Sequence, residues 1–152
     1  MEATATVLER SIRTAWLEDL PQVLRIERES FDKHWDLFNF KASLEDVFLV
    51  YEKAGEIIGF VVACCCRLAK RGMILRVAVD PAHRRRGVAI ALLQEAFERL
   101  EERDVQDVDL DVDVVKSGAL RLYEKVGFKI VEILTLDPEG DESFYIMRKR
   151  LH

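Results

Sequence analysis

Leu75-Arg-Val-Ala-Val-Asp-Pro-Ala-His-Arg-Arg-Arg-Gly-Val-Ala-Ile-Ala91 changes character twice within seventeen residues. A run rich in β-branched residues stops at Asp80-Pro81. A short basic turn follows, Arg84-Arg85-Arg86-Gly87, and an apolar-periodic segment begins at Val88. Strand, turn and helix are the expected order. The start of a helix leaves backbone N–H groups without intrahelical partners and carries partial positive charge. Such a start suits a phosphate, and Gly87 lets an anion approach the backbone closely.

Working outward, the period-two and helical patterns predict strands at Ser11–Ala15, Val47–Lys53, Glu56–Leu68 and Gly72–Val79. Further strands are expected at Val105–Val114, Phe128–Leu134 and Phe144–Arg150. Helices are expected at Asp19–Phe31 and Val88–Arg103, with a short one before Asp46 and another at Ser117–Lys125. Ser117 is a candidate N-cap, and Gly127 stands at the favoured position after the helix. The implied fold class is α/β, with about seven strands and about four helices.

Composition sets the limits. The chain has 152 residues, 49% apolar and 34% charged, with a net charge of −5. One domain over residues 1–152 is expected. The acidic balance disfavours a broad nucleic-acid face. No apolar run approaches the ~20 residues of a membrane span. The first residues lack the pattern of a secretory signal, so a cytoplasmic protein with no membrane partner is expected. Cys64-Cys65-Cys66 fits neither a zinc site nor a disulfide framework, and no metal is expected. Their bland role is as small buried residues of a strand.

The loop Arg84-Arg85-Arg86-Gly87-Val88-Ala89 fits Arg/Gln-x-x-Gly-x-Gly/Ala. It lacks the Lys-Ser/Thr of a P-loop and the Gly-x-Gly-x-x-Gly of a dinucleotide fold. It resembles the acetyl-coenzyme A pyrophosphate loop of GCN5-related N-acetyltransferases. The downstream stretch Leu122-Tyr-Glu-Lys-Val-Gly-Phe128 resembles the same family, and within it the N-terminal protein acetyltransferases. The element order matches that fold along nearly the whole chain, and the resemblance implies that the strands form one central mixed, mostly antiparallel sheet flanked by the helices.

The resemblance implies acetyl transfer from acetyl-coenzyme A to an amine. It implies that Tyr123 is the acid facing the coenzyme sulfur and that Asp111 is the proton acceptor. It also implies that Val77, Ala78 and Val79 offer backbone groups to the pantetheine arm, one N–H going to the thioester oxygen. Arg84, Arg85, Arg86, Gly87, Val88 and Ala89 would hold the pyrophosphate. Lys116 falls where the family carries a coenzyme-contacting asparagine. Arg76 replaces a residue that is often asparagine beside the acceptor.

Two features leave the acceptor open. The tyrosine pair that grips a peptide in the relatives is absent from Thr135–Asp141, which is acidic instead. Asp107, Asp109, Asp111 and Asp113 alternate along one strand and should share a face. Such a row can raise one carboxyl pKa and attract a cation. A protein or peptide α-amine is one acceptor, and a small polyamine-like cation is another. A sensor that binds acetyl-coenzyme A without turnover is a third reading. His34 and His83 are further candidate bases. A monomer and a homodimer are both compatible with the chain.

Overall fold

A computed structural model of the chain describes residues 11–137, 139–140 and 142–151. The chain order is β1 (Ile12–Thr14), α1 (Leu20–Ser30), α2 (Leu37–Ser43), β2 (Val47–Lys53), β3 (Glu56–Cys66) and β4 (Arg71–Val79). Then come α3 (Val88–Glu102), β5 (Asp107–Asp113), α4 (Ser117–Lys125), β6 (Lys129–Thr135) and β7 (Ser143–Arg150). The seven strands form one sheet in the order β1-β2-β3-β4-β5-β7-β6. Every pairing is antiparallel except β4 with β5. The expected mixed sheet and four helices are therefore present among the described residues.

Alternation along the strands gives the sheet two apolar faces. On one, Val47, Leu49, Val61, Ile74 and Val108 pack under Leu92, Leu93, Ala96 and Leu100 of α3. On the other, Phe48, Val50, Phe60 and Val62 pack under Val23 and Ile26 of α1 and Phe40 of α2. Both helices carry their buried residues three and four apart, which is why one stripe of each faces the sheet. Asp36 caps α2 by accepting from the Asn39 N–H at 3.0 Å.

Two irregularities in β4 open a cleft. Arg76 pairs with Val62 and Ile74 with Ala63, so Leu75 has no partner on β3. This bulge bends the strand. The parallel ladder to β5 covers only Arg71, Gly72 and Met73 against Asp107, Val108 and Asp109. Beyond those pairs the two strands diverge.

Some local expectations change. The residue capping α4 is Lys116, not Ser117, and no side chain closes the helix start. The turn is held instead by the Asp113 carboxylate, which accepts from the Val115 N–H at 3.1 Å and leaves Ser117 already helical. The cysteines are not core residues: Cys64 and Cys65 are half-buried and Cys66 is exposed. They lie at the far end of β3, next to the exposed Arg67–Lys70 turn.

Candidate active site

The divergence of β4 and β5 opens a cleft of about 1090 Å³. Its walls include Val77, Ala78 and Val79 from β4, Asp111 from β5, and Lys116 and Tyr123 from α4 with its cap. Arg84, Arg85, Gly87, Val88 and Ala89 close one end. Of the residues expected to bind the coenzyme or act on the acetyl group, Arg86 alone does not line the cleft and is exposed, while of the further candidate bases His34 does not line it either.

The backbone of β4 supplies directed polar groups. Asp80 N–H donates to Ile58 O on the β3 side at 2.8 Å. Alternation then points the backbone groups of Ala78 toward β3, and those of Val77 and Val79 toward the cleft. The Val79 carbonyl agrees, because it accepts from Arg84 Nε at 3.0 Å on that side. Of the three expected residues, Val77 and Val79 therefore turn their backbone groups to the cleft. Ala78 contributes only as wall.

The basic turn sits at the start of α3. Arg85 and Gly87 both take left-handed backbone angles, φ 63° and 80°. The 15-residue α3 begins at Val88 with no side-chain cap. Nothing stands within 4 Å of where a Gly87 Cβ would project. Free N–H groups, helix dipole and open space thus coincide. The Arg84 side chain is a buttress: it binds the Val79 carbonyl and reaches Ser30 Oγ at 3.2 Å. His83 lines the cleft near this end, while His34 is exposed and does not.

Tyr123 and Asp111 both line the cleft. Tyr123 packs edge-on to Phe128, ring centroids 6.0 Å apart. Its phenol is pushed up to about 12, first by burial and then by the negative charge of Asp111, with Arg76 opposing. Such a phenol stays protonated through the neutral range.

The aspartate row behaves differently from expectation. Asp109 is not raised. Arg148 first, and then Arg71, hold its carboxyl below the usual carboxylate range against the opposing effect of burial. The contacts are short: Arg148 Nε to Oδ1 at 2.8 Å and Arg71 NH2 to Oδ2 at 2.8 Å. Asp107 lies 3.7 Å from Arg150 and 4.0 Å from Arg71. The half of the row away from the cleft is thus neutralised, and of the four only Asp111 and Asp113 face the cleft.

The far wall carries residues the sequence reading did not single out. Phe31 and Lys33, after α1, line the cleft, as does Glu142 before β7. Lys33 Nζ lies 3.5 Å from Glu142 Oε1, and Lys116 Nζ lies 5.2 Å from the Phe31 ring centre. Behind them Glu27 is fully buried and pairs with Arg76 at 3.0 Å. The signal for Glu27 was present: a carboxylate one residue from Ile26, inside the buried stripe of α1. Among the described residues no group of three or more His, Cys, Asp or Glu could hold a metal ion. None of their helices is long and apolar enough to cross a membrane.

Known proteins resemble this chain in sequence and in fold. The profile of the Acetyltransferase (GNAT) family matches residues 10–128. An N-alpha-acetyltransferase of Sulfurisphaera tokodaii is 31% identical, over 91% of this chain and 92% of its own. The [ribosomal protein bS18]-alanine N-acetyltransferase of Escherichia coli is 28% identical, over 72% and 74%. The crystal structure of Ard1 from Thermoplasma volcanium superposes with a TM-score of 0.82 at 29% identity, over 91% of this chain and 95% of that one. The chain belongs to the GNAT family of acetyltransferases.

Proposed function

We propose that this acetyltransferase acts on a protein or peptide α-amine, by direct attack within a ternary complex with acetyl-coenzyme A. One observation carries the reading. The divergence of β4 and β5 leaves a strand edge running from the uncapped start of α3 to Tyr123 and Asp111, in a cleft that reaches the α1 side at Phe31 and Lys33. A long cosubstrate fits along the edge, and an amine reaches its end from the other face. The relatives named N-alpha-acetyltransferase and [ribosomal protein bS18]-alanine N-acetyltransferase support the acceptor class.

Acetyl-coenzyme A supplies the activated acetyl thioester, and the residues of this chain do the rest. The N–H groups at the start of α3, with Arg85, bind the pyrophosphate. Val77 and Val79 hold the pantetheine arm strand-fashion, and one of their N–H groups polarises the thioester carbonyl. Lys116 adds a positive charge beside the coenzyme. Asp111 takes the ammonium proton, directly or through one water, because the attacking amine must be neutral. Tyr123 donates its proton to the departing thiolate. Burial beside Asp111 keeps that proton in place until it is needed.

Thiol release from acetyl-coenzyme A tests the reading. Peptides beginning Ser, Ala or Met are compared with spermidine and related amines. Turnover with peptides is expected. Turnover with polyamines alone would replace this acceptor by a small cation recognised by Asp111, Asp113 and Glu142. Coenzyme binding without any transfer would favour a sensor.

A further inference from the structure

His83 turns one ring nitrogen into the protein and the other outward. Asp80, at the end of β4, caps the short 3₁₀ turn Pro81–His83. Its Oδ1 accepts from the Ala82 N–H at 3.2 Å, and its carbonyl accepts from the His83 N–H at 2.8 Å. Pro81 fixes the backbone between them. The turn thereby sets the ring against the Asp80 carboxylate. Nδ1 is buried, has no hydrogen-bond partner and lies 3.7 Å from Asp80 Oδ2. Nε2, on the other side of the ring, is neither buried nor met by a protein partner among the described residues. His83 lines the cleft with Val79, Arg84, Arg85 and Gly87, so Nε2 is the nitrogen offered to it.

The two nitrogens have different electrical surroundings. A bare lone pair on Nδ1 would face a carboxylate, so the proton of a neutral ring belongs on Nδ1. Nε2 is then an acceptor, and it becomes a donor only in the imidazolium. An ionised phosphate oxygen only accepts. It can therefore bind Nε2 only when the ring carries a second proton. The charged groups around the ring are Asp80, Arg25 and Glu29 of α1 behind it, and Arg84 and Arg85 of the turn. Arg25 NH2 lies 3.6 Å from the same Asp80 oxygen, and Arg25 NH1 lies 3.5 Å from Glu29 Oε1. Asp80 favours the charged ring and the arginines oppose it. A pyrophosphate seated in the turn adds negative charge and tips that balance toward the imidazolium.

We infer that His83 binds a pyrophosphate oxygen of the coenzyme through Nε2, as an imidazolium held by Asp80, so that coenzyme binding takes up a proton from solvent. Asp80 is the positioning residue: it faces the ring and not the phosphate. The inference rests on the pyrophosphate reading of this turn.

Titration calorimetry of coenzyme A into the full chain, in buffers of different ionisation enthalpy, counts the protons exchanged. At about pH 7.5 an ordinary imidazole is mostly neutral. His83→Gln keeps a side-chain N–H donor but cannot titrate. Relative to that variant, the unaltered protein should take up roughly half a proton more per coenzyme. It should also bind about ten-fold more tightly near pH 6, an advantage that shrinks as pH rises. The coenzyme's 3′-phosphate titrates near ~6 as well. Coenzyme lacking that group keeps the pyrophosphate and should give the same difference; loss of the difference overturns the pyrophosphate contact. Asp80→Asn should lower the uptake too, and it is the comparison to make if the Gln variant binds too weakly to titrate. A merely structural role would change affinity and leave the proton count unmoved. Equal counts in the unaltered protein and the variants, with coenzyme bound, overturn this inference alone. Failure of the unaltered protein to bind coenzyme overturns it together with the pyrophosphate reading.

Discussion

At the scale of single residues, the proposed chemistry turns on one proton. A tyrosine in water ionises near ~10. Burial and then Asp111 push Tyr123 to about 12. Tyr123→Phe should lower kcat by about a hundred-fold or more, in the range of a lost general acid. Coenzyme affinity, measured by titration calorimetry, should hardly move. An undiminished rate would remove Tyr123 from the acid role. The pH profile is a second check. Because the protonated phenol is the active form, its loss should slow the reaction only as pH approaches about 12. A decline centred near 10 and absent from the Phe variant would put the phenol in water. Gly87 is the other decisive residue. Gly87→Glu should abolish coenzyme binding, since it sets a carboxylate in the space open before α3. Gly87→Ala should cost only about 1–2 kcal/mol of backbone strain at φ 80°.

At the scale of elements, the seat of α3 decides where the turn proposed to bind the pyrophosphate lies. Gly59 of β3 lets the helix come close. A Cβ there would meet Val88 Cγ1 and Leu92 Cδ1, each at 3.1 Å, and the Ala78 carbonyl at 3.2 Å. Val88 is also the first residue of α3, next to Gly87. Gly59→Ala should therefore destabilise by about 1–3 kcal/mol, as overpacking does. It should also weaken coenzyme binding by shifting the start of α3, although Gly59 does not line the cleft. Thermal melting with and without acetyl-coenzyme A separates the two effects. A variant that loses stability but binds normally would show that the helix start is held by the turn alone.

At the scale of the molecule, Asp109 ties three strands together. Its carboxylate accepts from Arg71 of β4 and twice from Arg148 of β7, at 2.8, 2.8 and 3.0 Å. It does so at the last β4–β5 pair before the strands part. The folded carboxyl titrates below its unfolded value of ~3.9. Its stabilisation is thus complete above that value and is lost as pH falls through the lower folded value. Asp109→Asn should destabilise by about 1–3 kcal/mol at neutral pH. It should also flatten the fall of melting temperature below about pH 4. An unchanged acid limb would place the acid sensitivity elsewhere, with Asp19 and its Arg13 partner the next pair to alter.

Local chemistry made much of this protein legible in its sequence. Period two marked the strands, the 3.6-residue stripe marked α1 and α3, and Arg84–Gly87 marked the turn that starts α3, because each signal sits within a few consecutive residues. Gly127, at φ 107°, ends α4 as expected for the same reason. What only the tertiary structure decided depends on residues far apart in the chain. The alternation of Asp107, Asp109, Asp111 and Asp113 was readable, but which of them Arg71, Arg148 and Arg150 neutralise follows from the order of β4, β5 and β7. The exposure of Cys66 follows from where β3 outruns its cover, not from its apolar neighbours. The unpaired Leu75 bends β4, and the divergence from β5 follows only once the two strands lie side by side. The Glu27–Arg76 pair joins a helix face to that bulge. Sequence pattern determines elements because backbone sterics and burial periodicity act locally. The cleft is decided by packing, where the partner of each charge and each strand edge is chosen.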